Sequence, residues 1–295
     1  MDFPSWSRQV AADMERTLAA LLPAATARPQ RLHDAMRYAT LSGGKRVRPM
    51  LAHAAGLLTD APIARVRIVS AAIEAIHAYS LIHDDMPCMD DDVLRRGRPT
   101  CHVEFDDATA LLAGDALQSF AFDLMAGHTL NDNPAEQIAM ISLFARACGS
   151  HGMAGGQAID LSNVGKAITL PELEFMHMQK TGALIRAAVL LGAMCGTLLS
   201  ATDAAHLDRY AKCVGLAFQV VDDVLDCESS TEKLGKTAGK DQDANKPTYV
   251  SLLGLAEAKR FAEELLADAK TEVAGFGERG HRLSQLAEFI VKRDN

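Results

Sequence analysis

The chain has 295 residues, 48% of them hydrophobic, so it can bury a core large enough for one large domain, and we expect a single domain over residues 1–295. A formal net charge of -8, from 38 acidic and 30 basic residues, argues against a general binder of nucleic acid or of anionic membranes, because both need a positive field. The acidic excess therefore needs a local explanation.

The six cysteines have no paired spacing and no signal peptide is recognised ahead of them, which favours a reducing cytoplasm. Charge or glycine interrupts each apolar stretch before it reaches the roughly 18 residues that a membrane-spanning helix needs. We therefore expect a cytoplasmic protein with no stable membrane insertion and no nucleic-acid partner.

Most of the sequence consists of alanine- and leucine-rich segments whose apolar positions recur three and four residues apart, which predicts an all-α bundle of about ten or more helices. The predicted helices are Trp6 to Leu22, Gln30 to Ala39, Val47 to Leu58, Ala64 to Asp84, Thr109 to Ala126, Pro134 to Cys148, Leu170 to Gln179, Gly182 to Leu198, Ala201 to Cys227 and Leu255 to Ala274. Breaks are predicted at Gly43–Gly44, around Pro87, at Gly97 to Pro99, at Asn131 to Pro134, at Gly155–Gly156 and from Ser229 to Pro247.

The first acidic cluster, DDMPCMDDD at residues 84–92, follows a long apolar segment. Like charges repel, and carboxylates near the C-terminus of a helix also oppose its dipole, so a cation should offset this cluster. Pro87 disfavours helical geometry at Met86, which predicts that the helix ends here and that a short loop returns Asp90 toward Asp84.

The second acidic cluster is DDVLD, within the apolar segment GLAFQVVDDVLD. At about 100° per residue, Asp222 and Asp226 share one helix face, and Gln219 precedes them on that face. One acidic run alone could be a solvent-exposed helix end without a function, but two runs embedded in apolar helices argue against this alternative.

Oxygen ligands without Cys or His spacing favour magnesium, manganese or calcium over structural zinc. The D-x-D-x-D-G pattern of a calcium loop is missing. Magnesium usually binds one or two carboxylates together with substrate phosphates, so a diphosphate is the natural bridge between two aspartate clusters.

Basic residues occur where a diphosphate could use them. GGKRVRP places Lys45, Arg46 and Arg48 after two glycines, but its spacing is not that of a P-loop. Arg95 and Arg96 follow the first acidic cluster, where surface salt bridges to the aspartates are an equal alternative to phosphate binding. Further candidates are Lys180 with Thr181, Lys236, Lys246, and His77, which shares a helix face with Asp84.

The motifs GGKRVRP, LIHDDMPCMDDDVLRRGRPTCH, GGQAIDL, HMQKTGALIRAA and GLAFQVVDDVLD occur in this order between Tyr38 and Tyr249. Together they resemble the trans-prenyl diphosphate synthases, most of all the short-chain bacterial members that make farnesyl diphosphate. The resemblance implies a bundle around a deep central cavity, homodimerisation, and condensation of isopentenyl diphosphate with dimethylallyl or geranyl diphosphate. Geranylgeranyl and geranyl products are the alternatives.

The resemblance also implies roles for single residues. About three magnesium ions, replaceable by manganese, would be bound by Asp84, Asp90 and Asp222, with Asp85, Asp223 and Asp226 in support. The allylic diphosphate would contact Arg95, Lys180, Lys236 and, less directly, Lys246, whereas isopentenyl diphosphate would contact Lys45, Arg48, His77 and Arg96. Thr181 and Gln219, with the carbonyl of Lys180, would face the allylic cation, and Lys180, Thr181, Gln219 and Arg95 are the expected catalytic residues.

Product length should depend on where the growing chain meets a wall. Tyr79 and Ser80 precede Asp84 by about one helical turn, so a ring at Tyr79 would form the floor of the pocket. Similarity to farnesyl synthases, which have an aromatic residue there and the two extra residues seen here as Pro87–Cys88, implies a fifteen-carbon product.

Two other functions are alternatives to a prenyl diphosphate synthase. A class I terpene cyclase would share the magnesium-dependent ionisation site but lack a second cationic pocket, so GGKRVRP, His77 and Arg96 argue against it. A non-catalytic regulatory subunit need not keep two repulsive acidic clusters, so their presence favours an enzyme.

Overall fold

A computed structural model describes residues 1–228 and 247–293, and it confirms the all-α prediction. In chain order the helices are α1 Phe3–Leu21, α2 Gln30–Thr40, α3 Val47–Leu58, α4 Ile63–Asp84, α5 Cys101–Glu104, α6 Asp107–Gly127, α7 Pro134–Cys148, α8 Met153–Asn163, α9 Leu170–His177, α10 Ala183–Met194, α11 Ala201–Glu228, α12 Tyr249–Leu253, α13 Leu255–Ala274 and α14 His281–Val291. A π-helical turn, Met178–Gly182, joins α9 to α10, and a 3₁₀ turn, Gly277–Gly280, precedes α14. Strands β1 Leu94–Arg95 and β2 Arg98–Pro99 form a short antiparallel hairpin.

Several helices begin where a polar side chain caps exposed backbone donors. Asp2 accepts a hydrogen bond from the backbone N–H of Ser5 at 2.8 Å at the start of α1. Asp106 accepts one from the N–H of Thr109 at 2.7 Å at the start of α6. Because the first turn of a helix leaves its N–H groups without helical partners, such caps fix where the helix begins.

The core is built around α4, which packs against α3, α6 and α10. Val69, Ile73 and Ile76 on α4 are fully buried. A smaller apolar cluster joins α9, α11, α12 and α13. The core helix α4 therefore ends in the first acidic cluster, while α11, which packs against α10 and α13, bears the second.

The predicted break at Gly155–Gly156 is wrong, because both glycines lie inside α8. A Cβ on Gly155 would lie 2.0 Å from the carbonyl oxygen of Ser150, and one on Gly156 would lie 2.1 Å from the backbone nitrogen of Lys180. The glycines therefore allow close backbone packing of a helix, a use of glycine that sequence reasoning took for a turn.

The set of predicted helices differs from the structure elsewhere too. The helix predicted from Gly182 to Leu198 is shorter, since α10 ends at Met194. Beyond it Thr197 donates its backbone N–H to the carbonyl of Thr59 at 2.8 Å, and a Cβ on Gly196 would lie 2.2 Å from that same oxygen. Helix α14 was not predicted, although Leu283, Leu286 and Ile290 give it a buried face.

Within the described part of the chain, none of the helices combines the length and the apolar composition needed to cross a membrane.

Candidate active site

The two acidic clusters meet at one cavity of about 580 Å³. Asp84, at the end of α4, and Asp222, on α11, both line it. Lys180 and Thr181 of the π-helical turn line the same cavity. The structure therefore brings together side chains from three motifs that lie far apart in the sequence, and the acidic clusters do not face opposite sides of the molecule.

The loop after α4 follows the predicted path. The backbone N–H of Asp90 donates to the carbonyl of Asp84 at 2.9 Å, and that of Asp92 donates to the carbonyl of Asp85 at 3.1 Å. These bonds turn the chain back onto the end of α4, so the prediction that Asp90 returns toward Asp84 is confirmed. Asp90 is consequently held close to Asp84, which lines the cavity.

Asp84 has an electrostatic environment unlike that of a surface carboxylate. Its pKa is raised to about 6, mainly by burial and also by the negative charges of Asp90 and Asp85, against the opposing effects of Lys180 and Arg95. Its carboxylate is thus partly desolvated and surrounded by like charge. A bound dication would relieve both penalties.

Asp85, predicted to support the metal, is turned toward a different partner. It is 2% exposed and receives hydrogen bonds from Nε and Nη2 of Arg95, at 2.7 and 2.5 Å. Arg95 does not line the cavity. The sequence left two alternatives for Arg95, a salt bridge to an aspartate or a contact with a diphosphate. The structure has the salt bridge, and the contact of Arg95 with a diphosphate stays a prediction.

The second acidic cluster is linked to the π-helical turn by hydrogen bonds. Thr181 Oγ1 donates to Gln219 Oε1 at 3.1 Å, and Gln219 Nε2 donates to Asp223 Oδ1 at 3.0 Å. Asp223 Oδ2 also accepts the backbone N–H of Tyr249 at 2.8 Å. Asp223, predicted to support the metal, thus anchors the start of α12, while Asp226 is half-buried one turn beyond Asp222 and does not line the cavity.

A second cavity of about 310 Å³ adjoins the first. Its basic lining residues are Lys45, Arg46, Arg48, Arg96 and Arg293. Arg48, His77 and Phe218 line both cavities, so the two spaces are neighbours. A cationic space beside an acidic one suits two diphosphates, one bound through metal and the other through basic side chains.

Arg46, which the sequence grouped with the diphosphate-binding cations, is committed to the core. Its Nη1 lies 2.5 Å from Glu74 Oε2, and its Nη2 lies 2.6 Å from Glu15 Oε1 and 2.7 Å from the carbonyl of Thr40. Its backbone has a left-handed φ of 52°. Arg46 therefore fixes the loop, which leaves Lys45 and Arg48 on either side of it to face a ligand.

Glycines in the same loop allow Arg96 to approach. Arg96 donates to the carbonyl of Gly43 and, at 3.3 Å, to Ser42 Oγ. A Cβ on Gly44 would lie 2.8 Å from the guanidinium carbon of Arg96. Because any larger residue at position 44 would displace this guanidinium, the paired glycines help to build the cationic cavity.

His77 is held neutral in this setting. Burial lowers its pKa well below the ordinary value, and the positive charges of Arg48 and Arg96 lower it further. A neutral imidazole between the two cavities can still donate one hydrogen bond to a phosphate oxygen. Lys45 also has its pKa lowered by burial and by Arg293, with Asp222 opposing.

Arg293 is a cavity residue that sequence reasoning missed. Its guanidinium donates to Asp222 Oδ1 at 2.6 Å and to the carbonyl of Phe218 at 2.9 Å. It also lies 3.9 Å from the centroid of the Phe218 ring. The sequence around it, VKR at the end of α14, offers no motif, so only the packing of α14 against α11 could reveal it.

The expected floor residues also lie in the first cavity. Tyr79 is 8% exposed, and its ring contacts His83 edge-on at 5.6 Å between centroids. Ser80 donates its hydroxyl to the carbonyl of His77 at 2.9 Å. A Cβ on Gly114 would lie 2.1 Å from His83 Nε2, so the absence of a side chain at this glycine allows the His83 ring to pack against Tyr79. Lys236 and Lys246, two predicted diphosphate contacts, lie outside the described residues.

Residues 29–276, most of the chain, match the family model described as "Polyprenyl synthetase". The chain belongs to this family. It is therefore a prenyltransferase, as the five motifs indicated. The family depends on magnesium and uses diphosphate substrates.

Relatives of the chain agree with this assignment. It is 50% identical over 286 residues, 96% of this chain and 86% of the relative, to a probable farnesyl diphosphate synthase of Bradyrhizobium diazoefficiens. It is 43% identical over 298 residues, all of both chains, to the farnesyl diphosphate synthase of Escherichia coli. A solved geranyltransferase of Helicobacter pylori, complexed with magnesium and isoprenyl diphosphate, matches with a TM-score of 0.85 at 30% identity, covering 98% of this chain and 97% of the other.

The donor set fits magnesium bound together with a substrate. Asp84 and Asp222 supply carboxylate oxygens to the same cavity, and Asp84 is destabilised by burial and neighbouring charge. Over residues 1–228 and 247–293, no three acidic, histidine or cysteine side chains form a ready cage for one ion. Magnesium typically takes one or two carboxylates plus phosphate oxygens, so a diphosphate is needed to complete its coordination.

Proposed function

We propose that this prenyltransferase condenses isopentenyl diphosphate with dimethylallyl or geranyl diphosphate and releases (2E,6E)-farnesyl diphosphate and diphosphate. The assignment rests most directly on one observation. Asp84, Asp222 and Lys180 line a single cavity, and that cavity shares Arg48 and His77 with a neighbouring cationic one. Two adjoining diphosphate sites of different character are what a reaction between two diphosphates requires.

The first cavity would hold the allylic substrate. Its diphosphate would lie at the acidic end, near Asp84 and Asp222, where bound magnesium would neutralise the charge that builds on the leaving group. We propose about three such ions, with manganese able to replace them. Lys180 adds a fixed positive charge at this end, and Lys236 and Lys246 remain proposed contacts beyond the described residues.

The allylic cation needs polar stabilisation without water. Thr181 lines the cavity and donates to Gln219, so these dipoles are held in place before the substrate arrives. Met153, Leu161 and Phe218 supply apolar surface around the same space. A cation formed there is shielded from water that would otherwise trap it as an alcohol.

The second cavity would hold isopentenyl diphosphate. Lys45, Arg48 and Arg96 supply fixed cations, and neutral His77 can donate a hydrogen bond. Because Arg48 and His77 also line the first cavity, a diphosphate bound there places the five-carbon chain next to the allylic site. This arrangement favours attack of its double bond on the allylic carbon.

The floor of the first cavity, formed by the Tyr79 ring, limits the product to fifteen carbons. Tyr79 lies one turn below Asp84 on α4, and His83 backs its ring. A prenyl chain that grows from the acidic end would meet this ring after a limited number of units. Farnesyl diphosphate is therefore favoured over the longer geranylgeranyl product.

We further propose one synthase domain that acts as a homodimer in the cytoplasm. Helices α5 and α6 expose large apolar side chains, with Val103 49%, Leu111 46% and Leu112 56% exposed. Grouped apolar side chains of this kind commonly mark a protein interface. Light scattering coupled to size-exclusion chromatography should give twice the chain mass, and Leu112→Glu should lower it to the monomer.

An assay with radiolabelled isopentenyl diphosphate tests the function. The protein is incubated with magnesium and, in turn, with dimethylallyl, geranyl or farnesyl diphosphate, and the products are separated by chain length. We expect fifteen-carbon product from the first two starters and little elongation of the third. A cyclic hydrocarbon made without isopentenyl diphosphate would indicate a terpene cyclase, and absence of any product would indicate a non-catalytic subunit.

A further inference from the structure

Helix α8 forms one wall of the first cavity through a single face. Its cavity-lining residues recur three and four apart: Met153, Ala154, Gln157, Ala158 and Leu161. All of these are apolar except Gln157. An amide in the middle of an apolar wall therefore calls for an explanation.

The amide of Gln157 lacks the partners that a buried polar group normally has. Both Nε2 and Oε1 are inaccessible to solvent, and neither has a hydrogen-bond partner among the residues that the structure describes. Leaving a buried amide unsatisfied is costly, whereas an apolar residue of similar size would avoid the penalty. The position is thus unfavourable in the ligand-free protein and is explained if a ligand supplies the missing partner.

Helix α8 is fixed against the catalytic turn. Gly156, the residue before Gln157, packs so closely that a Cβ there would lie 2.1 Å from the backbone nitrogen of Lys180. One turn later Asp160 Oδ2 lies 2.6 Å from Lys180 Nζ. Gln157 is therefore held on a rigid element between two contacts to the lysine that lines the acidic end of the cavity.

From this placement we propose that Gln157 is a further substrate-binding residue, whose side chain turns into the cavity when substrate binds, so that its amide N–H donates to an oxygen of the allylic diphosphate. The inference rests on the proposed function and deepens it. A prenyl chain has no atom that can hydrogen-bond, so the diphosphate is the part of the substrate that can satisfy the amide. The closeness of α8 to Lys180 places Gln157 on the side of the cavity where that group binds.

The test compares Gln157→Leu with the wild type. We expect the ligand-free variant to melt at the same temperature as the wild type or higher, because the change removes an unsatisfied buried amide. Calorimetric affinity for geranyl thiolodiphosphate, an analogue that does not ionise readily, should fall about tenfold in the presence of magnesium. The KM for geranyl diphosphate should rise to a similar extent, while that for isopentenyl diphosphate should stay the same.

Two further variants sharpen the comparison. Gln157→Glu keeps the size but places a carboxylate near the diphosphate, so its affinity for the analogue should fall more than that of Gln157→Leu. Ser162→Ala changes an exposed residue of the same helix and should behave as the wild type. If Gln157→Leu does not fold, Gln157→Glu alone decides the question.

Unchanged affinity for the analogue in either Gln157 variant would overturn the inference. So would a lower melting temperature of ligand-free Gln157→Leu with equal loss of both KM values, because that pattern indicates a structural role. Binding of the analogue does not require turnover. If the wild type binds the analogue but makes no prenyl product, the proposed function is contradicted. The role of Gln157 is then decided by the affinities of its variants for the analogue.

Discussion

Arg293 Nη2 lies 2.6 Å from Asp222 Oδ1, so a residue at the end of the chain neutralises the first aspartate of DDVLD. The arginine side chain is 6% exposed, and it also lines the cationic cavity. Its charge therefore acts on both proposed substrate sites. Where magnesium binds Asp222, the two cations must compete for one carboxylate.

Arg293→Gln should consequently have two effects of opposite sign. Inorganic diphosphate with magnesium should raise the melting temperature of the protein. The magnesium concentration that gives half of this rise should be severalfold lower in the variant, because Arg293 no longer competes for Asp222. The KM for isopentenyl diphosphate should rise severalfold, because the second cavity loses a positive charge. Lys292→Gln, which removes an exposed ion pair with Glu288, is the control. Equal behaviour of the two variants would contradict the role given to Arg293.

Tyr79→Ala should lengthen the product. Removing the ring deepens the cavity below Asp84, so chains of twenty carbons or more should appear when the reaction products are separated by chromatography. Tyr79→Phe keeps the ring and should still give farnesyl diphosphate. An unchanged product from Tyr79→Ala would show that the floor is formed elsewhere.

Neighbouring cations of GGKRVRP should respond differently to mutation. Arg46→Met should lower the free energy of unfolding by about 3–5 kcal/mol, because it leaves the 3% exposed side chain of Glu74 without its partner in the core. Lys45→Met should leave that free energy nearly unchanged and raise the KM for isopentenyl diphosphate. Urea denaturation and initial-rate kinetics check both.

A double variant provides the control for Arg46. Arg46→Met with Glu74→Leu removes both members of the buried pair and should recover much of the lost stability. If Arg46→Met is as stable as the wild type but binds isopentenyl diphosphate poorly, Arg46 contacts substrate and its structural assignment is wrong.

Stability should fall between pH 7 and pH 5 partly because of His53. Burial lowers its pKa from the ordinary histidine value of 6.5 to about 4. In this interval the unfolded chain takes up a proton that the folded chain does not, so acid favours unfolding. The contribution is about 2 kcal/mol at pH 5.

His53→Gln should therefore show a shallower loss of unfolding free energy from pH 7 to pH 5 than the wild type, when both are measured by urea denaturation. Parallel curves for the two proteins would mean that His53 takes up protons equally in the folded and unfolded states, so that burial does not lower its pKa. Asp13 and Arg67 form an ion pair nearby, with opposite effects on this pKa, so both charges must stay intact in the comparison.

The sequence was most informative where local physics decides the structure. Pro87 ends the core helix and the returning loop follows, because both depend on neighbouring residues. Gly155 and Gly156 gave the opposite result, since their role is set by contacts with Ser150 and Lys180 that a sequence pattern does not display. Helix α14 has a regular apolar periodicity, so its absence from the predicted helices has no physical cause.

The site shows the same division. Both acidic clusters were found from their composition, but the sequence could not say which aspartates face the cavity. Asp85 and Asp223 are held by Arg95 and Tyr249, whereas Asp84 and Asp222 line the cavity. Such a division depends on side-chain packing between helices, which spacing along one helix does not reveal.

The most direct test of the account is a crystal structure of the protein with manganese and geranyl thiolodiphosphate, in which anomalous scattering locates the metal. We expect anomalous peaks beside both Asp84 and Asp222, bridged by oxygens of one diphosphate. Metal at one of these aspartates alone, with the diphosphate bound elsewhere, would contradict the claim that the two acidic clusters act on a single substrate.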